Sequence, residues 1–307
     1  MTHATLAFVA RFLGVATLAA CSKGSSTAPA SGSNSASAPL AKPADERPAA
    51  SAASAPIPRA AKPSCRALVV TGQVTENGAQ VAVSSLLDGE HWLELAENSS
   101  VALRHTSSSR EWNLIGPGHL LPCRNGSEQI LLTSGRLTTS ANLGVRPGAE
   151  VLIATPAGSV RYGDAALDVE LGPRGLQVRV KQGEAWVEPA RGSAPFGNPV
   201  RSGEARLPPQ RATGRALVEA CTALAEAAAT SAAEVLQSGA AGSQPSLGAR
   251  AAVQMRARAQ ARIACANAAA AAFAASDPDE RLTLSASVAH ADELWQSVPR
   301  ASVGRKN

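Results

Sequence analysis

The pattern of apolar residues changes near Pro209, and this change most constrains the fold. Residues 67–207 contain short alternating apolar runs separated by Gly, Asn, Asp and Pro. Alternation at a period of two is typical of strands, and these separators are typical of turns. Beyond Pro209 the apolar residues recur at helical spacing. The sequence therefore predicts a multidomain α+β chain. An all-β domain of about ten to twelve strands, built as a sandwich or a short solenoid, precedes an α-helical module.

The helical module is predicted as a hairpin or a three-helix unit. Residues 215–237 form the first helix, and an alanine-rich run over 248–275 forms the second. Asp277 and Pro278 follow as an N-cap and first helical residue, so a third helix begins there. The apolar stripe of the first helix comprises Leu217, Cys221, Leu224, Ala228, Ser231 and Val235, and that of the third comprises Leu284, Val288, Ala291, Trp295 and Val298.

The amino-terminal segment is apolar and short. Residues 4–20 carry a single charge, Arg11, and end in Leu18-Ala19-Ala20-Cys21. This ending resembles the lipobox of bacterial lipoprotein signal peptides. The resemblance implies that residues 1–20 are removed, that Cys21 is lipidated on sulfur, and that its amino group is acylated, palmitate being a typical chain. The alternative is a secreted protein with an incidental cysteine.

The expected destination is the bacterial cell envelope, with a lipid anchor at Cys21. Because Ser22 rather than Asp follows the cysteine, the outer membrane, on its periplasmic side, is favoured. Residues 21–63 combine this cysteine with a Ser/Ala/Pro-rich tether, which lacks apolar periodicity. The expected order is a signal peptide (1–20), lipidated Cys and disordered tether (21–63), β domain (64–210) and helical module (211–307). No later segment is predicted to span a membrane.

Four cysteines remain after Cys21. An even number in an exported chain indicates disulfide bonds. Three pairings are possible, and position along the chain favours Cys65 with Cys123 and Cys221 with Cys265. No Cys-x-x-Cys occurs, so neither a zinc ribbon nor a redox pair is expected.

Residues 67–188 also carry a series of short strand and turn motifs. In order these are Leu87-Asp88-Gly89-Glu90, the run 97–103, Gly135-Arg136-Leu137, the run 155–160 and the run 178–187. Thr155-Pro156-Ala157-Gly158-Ser159-Val160 resembles the Thr-Pro-x-(Gly/Ala)-x-Val strand of the FecR domain. The final run, which contains Gly183 and Trp186, resembles its Val-x-Val-x-x-Gly-x-(Val/Ala)-x-Val ending. Tyr162-Gly163-Asp164 departs from the Gly-Thr that is common there.

The FecR resemblance implies a periplasmic β domain. FecR proteins relay signals through a cytoplasmic anti-sigma segment and a transmembrane helix. Neither is expected here, so the resemblance implies the ligand-side domain without the signalling half. A direct regulator of a sigma factor is not expected, whereas a partner in such a pathway is compatible with the pattern.

The pattern of polar residues favours a protein without catalytic activity, metal or cofactor. His91, His105 and His119 are interpreted as exposed and without a carboxylate cluster. Asp164 and Asp168 lie too far apart along a strand for a glycosidase pair, and are interpreted as turn and solvated residues. No serine-hydrolase, zinc-protease, phosphate-loop or dinucleotide motif occurs.

Two further groups of residues bear on what the protein could bind. The arginines at 250, 256, 258 and 262 are interpreted as a solvated helix face, with contact to an anionic envelope polymer or lipid A phosphates as the alternative. The tryptophans at 92, 112 and 186 are interpreted as core residues rather than a sugar-stacking row. The net charge of +5 falls to +4 when Arg11 leaves with the signal peptide, and no nucleic-acid partner is expected.

The function expected from the sequence is binding or scaffolding. A non-enzymatic envelope lipoprotein would present a FecR-like domain to an unknown envelope protein or polysaccharide, with envelope sensing as one context. Two alternatives stay open: a structural lipoprotein that binds peptidoglycan or polysaccharide, and a hydrolase with an unrecognised site.

Overall fold

The computed structural model describes residues 64–141, 150–190, 199–209, 213–240 and 244–297. The predicted signal peptide and the predicted tether with Cys21 lie outside these residues, as does the terminal part of the predicted helical module. The described chain combines one mixed sheet with three helices. This agrees with the predicted α+β class.

The sheet contains 13 strands in the described chain, slightly more than predicted. Neighbouring strands pair antiparallel throughout, except that the eighth and ninth pair parallel. The strands are β1 (Cys65–Thr71), β2 (Val74–Glu76), β3 (Ala79–Gln80), β4 (Leu86–Leu87), β5 (Leu93–Leu95), β6 (Ser100–His105), β7 (Glu111–Leu121), β8 (Gln129–Thr139), β9 (Val151–Ala154), β10 (Gly158–Gly172), β11 (Gly175–Pro189), β12 (Pro199–Val200) and β13 (Gly203–Leu207).

Long strands change partner along their length, which lets the sheet curve around a common core. Strand β10 pairs with β9 near its start and with β8 near its end, while β11 runs along its other edge. The register between β10 and β11 shifts between Tyr162 and Ala165. Gly183 lies opposite this shift with φ +84, and a Cβ there would lie 2.4 Å from the Asp164 carbonyl oxygen. Glycine is therefore required at this bulge.

One apolar cluster fills the β domain. It contains buried residues from β1 through β11, with Trp112 as the largest fully buried side chain. The Trp112 indole Nε1 donates to the Tyr162 hydroxyl at 2.8 Å. A buried indole N–H needs such an acceptor, so this pair links β7 to β10 inside the core.

The three helices are α1 (Gly214–Ala240), α2 (Gln244–Phe273) and α3 (Pro278–Ser297). Their common core consists largely of alanine and cysteine, and its larger aliphatic members are Leu217, Val218, Leu284 and Val288. Helix α3 begins where the sequence predicts, since Asp277 Oδ1 accepts a hydrogen bond from the Asp279 N–H at 3.0 Å. No described helix has the length and apolar character of a membrane span.

Two disulfide bonds cross-link the described part of the chain. One joins Cys65 to Cys123 in the β domain, and the other joins Cys221 on α1 to Cys265 on α2. These are the pairs that position along the chain favours. All four cysteines are fully buried.

The helices pack on the sheet through a third cluster, which we call the seam. Buried Leu131 and Leu152 on the sheet face Ala266 and Ala270 on α2. Trp92, which precedes β5, stacks on Phe273 at the end of α2 with ring centroids 3.7 Å apart. The helices therefore contact the sheet through matched apolar surfaces, and the line where they meet leaves an open groove.

Candidate binding groove

The groove runs along the seam and consists of two adjoining cavities. Their volumes are about 360 Å³ and 800 Å³, within the range of small-molecule sites. Asn125 and Gln296 line both, so the cavities adjoin at these two residues.

The smaller cavity has an aromatic wall and an ion pair at its rim. Trp92 and Phe273 provide the aromatic wall. Arg124 donates to the Asp292 carboxylate, and Asp292 also accepts from the Trp295 indole N–H at 2.9 Å. Both members of the ion pair are nearly buried. The pair joins the loop after β7 to α3 at this end of the groove.

The larger cavity is rich in amide and guanidinium groups. The Arg258 guanidinium lies 5.6 Å from the centroid of the Trp295 ring, in cation–π geometry. The sheet and the loop before it supply Asn125, Ser127, Glu128, Gln129 and Glu150, and the helices supply Gln254, Met255, Arg258, Ala259, Arg262, Trp295 and Gln296.

Gln129 has an unusual position in this cavity. It is 4% exposed, and its Nε2 is buried without an acceptor among the residues that the structure describes. A buried amide N–H that lacks a partner costs free energy. Gln129 is therefore a buried polar residue in the wall of the cavity.

A buried charged cluster lies behind Glu128. Arg110 Nε lies 3.0 Å from a Glu128 oxygen, and His105 Nδ1 lies 3.8 Å from the other. Burial lowers the pKa of His105, although the Glu128 charge and the Gly126 backbone act in the opposite direction. Arg110 therefore compensates the Glu128 charge from inside the protein.

A second buried network lies behind Glu150. Arg161 donates to Glu150 at 2.8 Å and to Glu188 at 2.7 Å, and its guanidinium lies 5.8 Å from the centroid of the Trp186 ring. Both carboxylates that line the larger cavity, Glu128 and Glu150, thus have an arginine behind them. Arg258 and Arg262 line the helical side of the same cavity.

A separate group on the β domain is suited to a divalent cation. Ligand atoms of Glu76, Asp88 and His91 lie within 4.8 Å of one another. Burial and the neighbouring Asp88 charge raise the pKa of Glu76. The expectation that no carboxylates accompany the histidines was therefore wrong for His91, because the turn after β4 brings it to the end of β2. Carboxylate and imidazole ligands together suit transition-metal ions and zinc.

The other histidine and aspartate predictions meet mixed outcomes. His119 is exposed as predicted, whereas His105 is 3% exposed and was wrongly placed at the surface. Asp164 is exposed, but Asp168 is buried and accepts hydrogen bonds from Arg136 at 3.1 Å and Lys181 at 2.9 Å. It was wrongly interpreted as solvated, because cross-strand neighbours are invisible in a single strand.

The tryptophan prediction holds for one residue of three. Trp112 is 1% exposed and lies in the β core. Trp92 lies at the seam and borders the smaller cavity, and Trp186 is only partly buried beneath Arg161. The prediction failed for these two because both pack against groups from distant parts of the chain.

The basic face of α2 divides into two parts. Arg258 and Arg262 line the larger cavity, whereas Arg256 is exposed and lies outside it. The sequence singled out these arginines, but not the groove residues Gln129, Gln254 and Trp295. The latter residues meet only when α2 and α3 pack on the sheet.

No protein-family model matches the chain, and no curated protein matches it significantly. The groove is therefore interpreted from its own chemistry.

Proposed function

We propose that this chain is a lipid-anchored protein of the bacterial envelope that binds a ligand in the seam groove and has no catalytic activity. The observation that carries the proposal is the groove itself. It joins two cavities whose walls come from a disulfide-bonded sheet and a disulfide-bonded helix pair. A site whose walls are fixed in advance loses little conformational entropy on binding.

The proposed place of action is the periplasmic side of the outer membrane. Two buried disulfides support an oxidising compartment. The lipobox resemblance at Leu18-Ala19-Ala20-Cys21 supports lipidation of Cys21, with residues 21–63 as the tether. A tether lets the groove reach a ligand at a distance from the lipid surface.

The β domain is proposed to be FecR-like. Support comes from Thr155–Gly158, which forms the turn between β9 and β10. Thr155 Oγ1 accepts from the Ala157 and Gly158 amides at 3.2 Å and 3.0 Å, so threonine at this motif position stabilises the turn. Gly183, in the second motif, occupies the bulge that requires glycine. The FecR resemblance assigns no ligand to the groove.

Fractionation tests the anchor. The Cys21→Ala chain is expected in the soluble periplasmic fraction, because lipidation needs the cysteine sulfur, whereas the wild-type chain is expected in outer-membrane fractions. Retention of the variant in washed membranes would contradict lipid anchoring at this residue.

Photocrosslinking in intact cells tests the groove. A photoreactive amino acid at Met255, which lines the larger cavity, is compared with one at Val253, which is equally exposed on α2 and lies outside it. Ligand adducts are expected at position 255 and not at 253. Equal adducts at the two positions, or none at either, would contradict binding in the groove.

A further inference from the structure

We propose that Glu76, Asp88 and His91 form a binding site for one divalent transition-metal ion, with zinc as the preferred ion. The site lies on the β domain, and it does not depend on the groove or on the function proposed for it. The support comes from the spacing of the ligand atoms, from the charges around them, and from the way in which the chain positions the three residues.

The spacing of the ligand atoms suits a small cation. Zinc binds histidine nitrogen and carboxylate oxygen at about 2.0–2.2 Å, so two ligands of a tetrahedral site lie about 3.4 Å apart. His91 Nδ1 lies 3.4 Å from Asp88 Oδ1, and no separation within the group exceeds 4.8 Å. All three side chains have accessible surface, so an ion can reach them, and small rotations bring the ligand atoms to bonding distance.

The charges around the group favour a cation. Neither Glu76 nor Asp88 pairs with a lysine or arginine within the described part of the chain, although other carboxylates of the β domain do. Asp168 and Glu128, for example, each have an arginine partner. Two carboxylates held close together repel each other. A divalent ion removes this repulsion, and with a neutral imidazole it gives the site no net charge.

The turn between β4 and β5, which supplies two of the ligands, is fixed in place by the neighbouring disulfide. Before the turn, Leu87 pairs with Cys65, which is bonded to Cys123. Within the turn, Gly89 has φ +77, and a Cβ there would lie 2.1 Å from the Cys123 carbonyl oxygen. The backbone of the turn therefore lies directly against the backbone at the disulfide.

Strand pairing brings the third ligand to this turn. Glu76 is the last residue of β2 and pairs with Leu93, the first residue of β5 and two positions after His91. Asp88 Oδ1 accepts a hydrogen bond from the Glu90 N–H at 2.8 Å, which orients the Asp88 carboxylate. Carboxylates that bind metals are commonly oriented in this way. Ligands that are oriented in advance lose less conformational entropy when an ion binds.

The ligand set favours zinc over the alkaline-earth ions. An imidazole nitrogen suits zinc and other transition metals, whereas Mg²⁺ and Ca²⁺ bind through oxygen ligands. Three protein ligands leave the fourth tetrahedral position for water.

The bound ion would stabilise one edge of the sheet. Strands β2 and β3 contain only three and two residues, and β3 is the last strand at its end of the sheet order. Such a short hairpin buries little surface of its own. An ion that joins Glu76 to the turn before β5 would cross-link this hairpin to the rest of the domain.

Calorimetry with zinc chloride tests the site. The full chain is purified from membranes in detergent, without a histidine tag, and treated with a chelator. One zinc ion is expected to bind per chain, at least about tenfold tighter than Ca²⁺ or Mg²⁺. His91→Gln and Glu76→Gln should each weaken zinc binding at least about 100-fold, since even the outer partners of metal ligands contribute about 10–100-fold. His119→Gln and Glu94→Gln, exposed residues on neighbouring strands, are the matched controls and should keep the wild-type affinity.

Two further measurements separate metal binding from a structural role of the same residues. Zinc should slow amide hydrogen exchange in β2 and β3 of the wild-type chain, and it should not do so in His91→Gln. Without zinc, Glu76→Gln removes a repulsion between carboxylates and should not lower the unfolding temperature. With zinc, the wild-type chain should unfold at the higher temperature. If His91→Gln does not fold, Asp88→Asn, which retains an oxygen acceptor for the turn, takes its place.

Four results would overturn the inference. These are no zinc binding by the wild-type chain, equal affinity for zinc and Ca²⁺, unchanged zinc affinity in His91→Gln and Glu76→Gln, and no effect of zinc on exchange in β2 and β3. An equal loss of zinc affinity in His119→Gln would also overturn it, because zinc would then bind elsewhere. None of these results bears on ligand binding in the groove, which photocrosslinking at position 255 tests separately.

Discussion

The buried carboxyl of Asp168 shows how strongly neighbours on adjacent strands control the pKa of a side chain. Burial alone would raise the pKa of the Asp168 carboxyl. Hydrogen bonds and positive charge from Lys181 and Arg136 outweigh burial, and the pKa of Asp168 lies below its usual value. Asp168 is buried while its two partners are about half exposed, so water screens the pairs from one side.

Replacement of the Asp168 carboxylate tests whether its charge stabilises the fold. A carboxyl whose pKa is lower in the folded state stabilises the fold above its unfolded pKa and loses that effect as the pH falls through the folded value. Asp168→Asn is therefore expected to lower the free energy of unfolding by about 1 kcal/mol at pH 7. The difference from wild type should shrink toward pH 3. Urea unfolding at both pH values measures this difference in the free energy of unfolding, and the exposed Glu94→Gln variant is the control. A difference that does not change with pH would contradict stabilisation by the Asp168 charge.

His105 predicts a second loss of stability at low pH, which comes from a buried base instead of a buried acid. Its ring is buried against Glu128, Arg110 and the hydroxyls of Ser107 and Ser108. Because burial lowers its pKa in the folded state, the unfolded chain binds more protons just below the ordinary histidine pKa of about 6.5. The free energy of unfolding should thus fall as the pH drops below that value.

The His105→Gln variant should show a flatter dependence of stability on pH between about 6.5 and 5. Urea unfolding across this range gives the slope. His119→Gln, an exposed histidine on the same sheet, is the control and should retain the wild-type slope. Identical slopes for wild type and His105→Gln would rule out His105 as the source of the pH dependence of stability.

Among the elements, the helix pair of α1 and α2 depends most on a disulfide bond for its stability. The faces of α1 and α2 near the disulfide consist mainly of alanines, such as Ala225 and Ala268, which bury little area per residue. Cys221 and Cys265 close a loop with a sequence separation of 44. The sheet core, by contrast, contains many large aliphatic side chains and Trp112.

Removal of each disulfide by a double Cys→Ala change compares these elements. In the loop-entropy model each bond stabilises the folded chain by about 4 kcal/mol. Loss of Cys221–Cys265 is expected to lower the unfolding temperature of the helices more than loss of Cys65–Cys123 lowers that of the sheet. Circular dichroism follows the helices. Trp112 fluorescence, in chains whose other tryptophans are replaced by phenylalanine, follows the sheet. A larger effect on the sheet would contradict the expectation.

In the whole molecule, the seam decides whether sheet and helices unfold together. Trp92 and Phe273 stack across it, and Arg124 pairs with Asp292 farther along. Asn267 on α2 adds a polar contact, since its side-chain nitrogen, facing the Thr155 and Gly158 carbonyls, lies 3.3 Å from each. The aromatic stack and the ion pair also form part of the wall of the groove, so stability and binding share residues.

A double-mutant cycle measures the coupling energy between Trp92 and Phe273 across the seam. Trp92→Ala, Phe273→Ala and the double variant should give a coupling energy of about 0.5–1.5 kcal/mol, as for other stacked aromatic pairs. The variants should also separate the unfolding of helices and sheet into two transitions. Additive effects with one retained transition would show that the stack does not couple them.

The sequence predicted features that arise within a few residues. Asp277 and Pro278 specify the start of α3 because an N-cap uses neighbouring backbone donors. The favoured cysteine pairs follow from their separate placement in the two differently patterned regions. Binary pattern predicted the α+β class, since strand and helix have different periods.

The groove and the cluster of Glu76, Asp88 and His91 could not be predicted in the same way. Gln129 and Gln254 are 125 positions apart along the chain, as their numbers show, and neither has a local pattern that marks it as a cavity residue. His105 and Asp168 were misplaced because their burial depends on strands and loops that pair with them in space. The sequence by itself determined local conformation, since backbone preference and capping act over one or two turns. Only the tertiary structure decided which side chains lie together, because packing brings distant segments within contact distance.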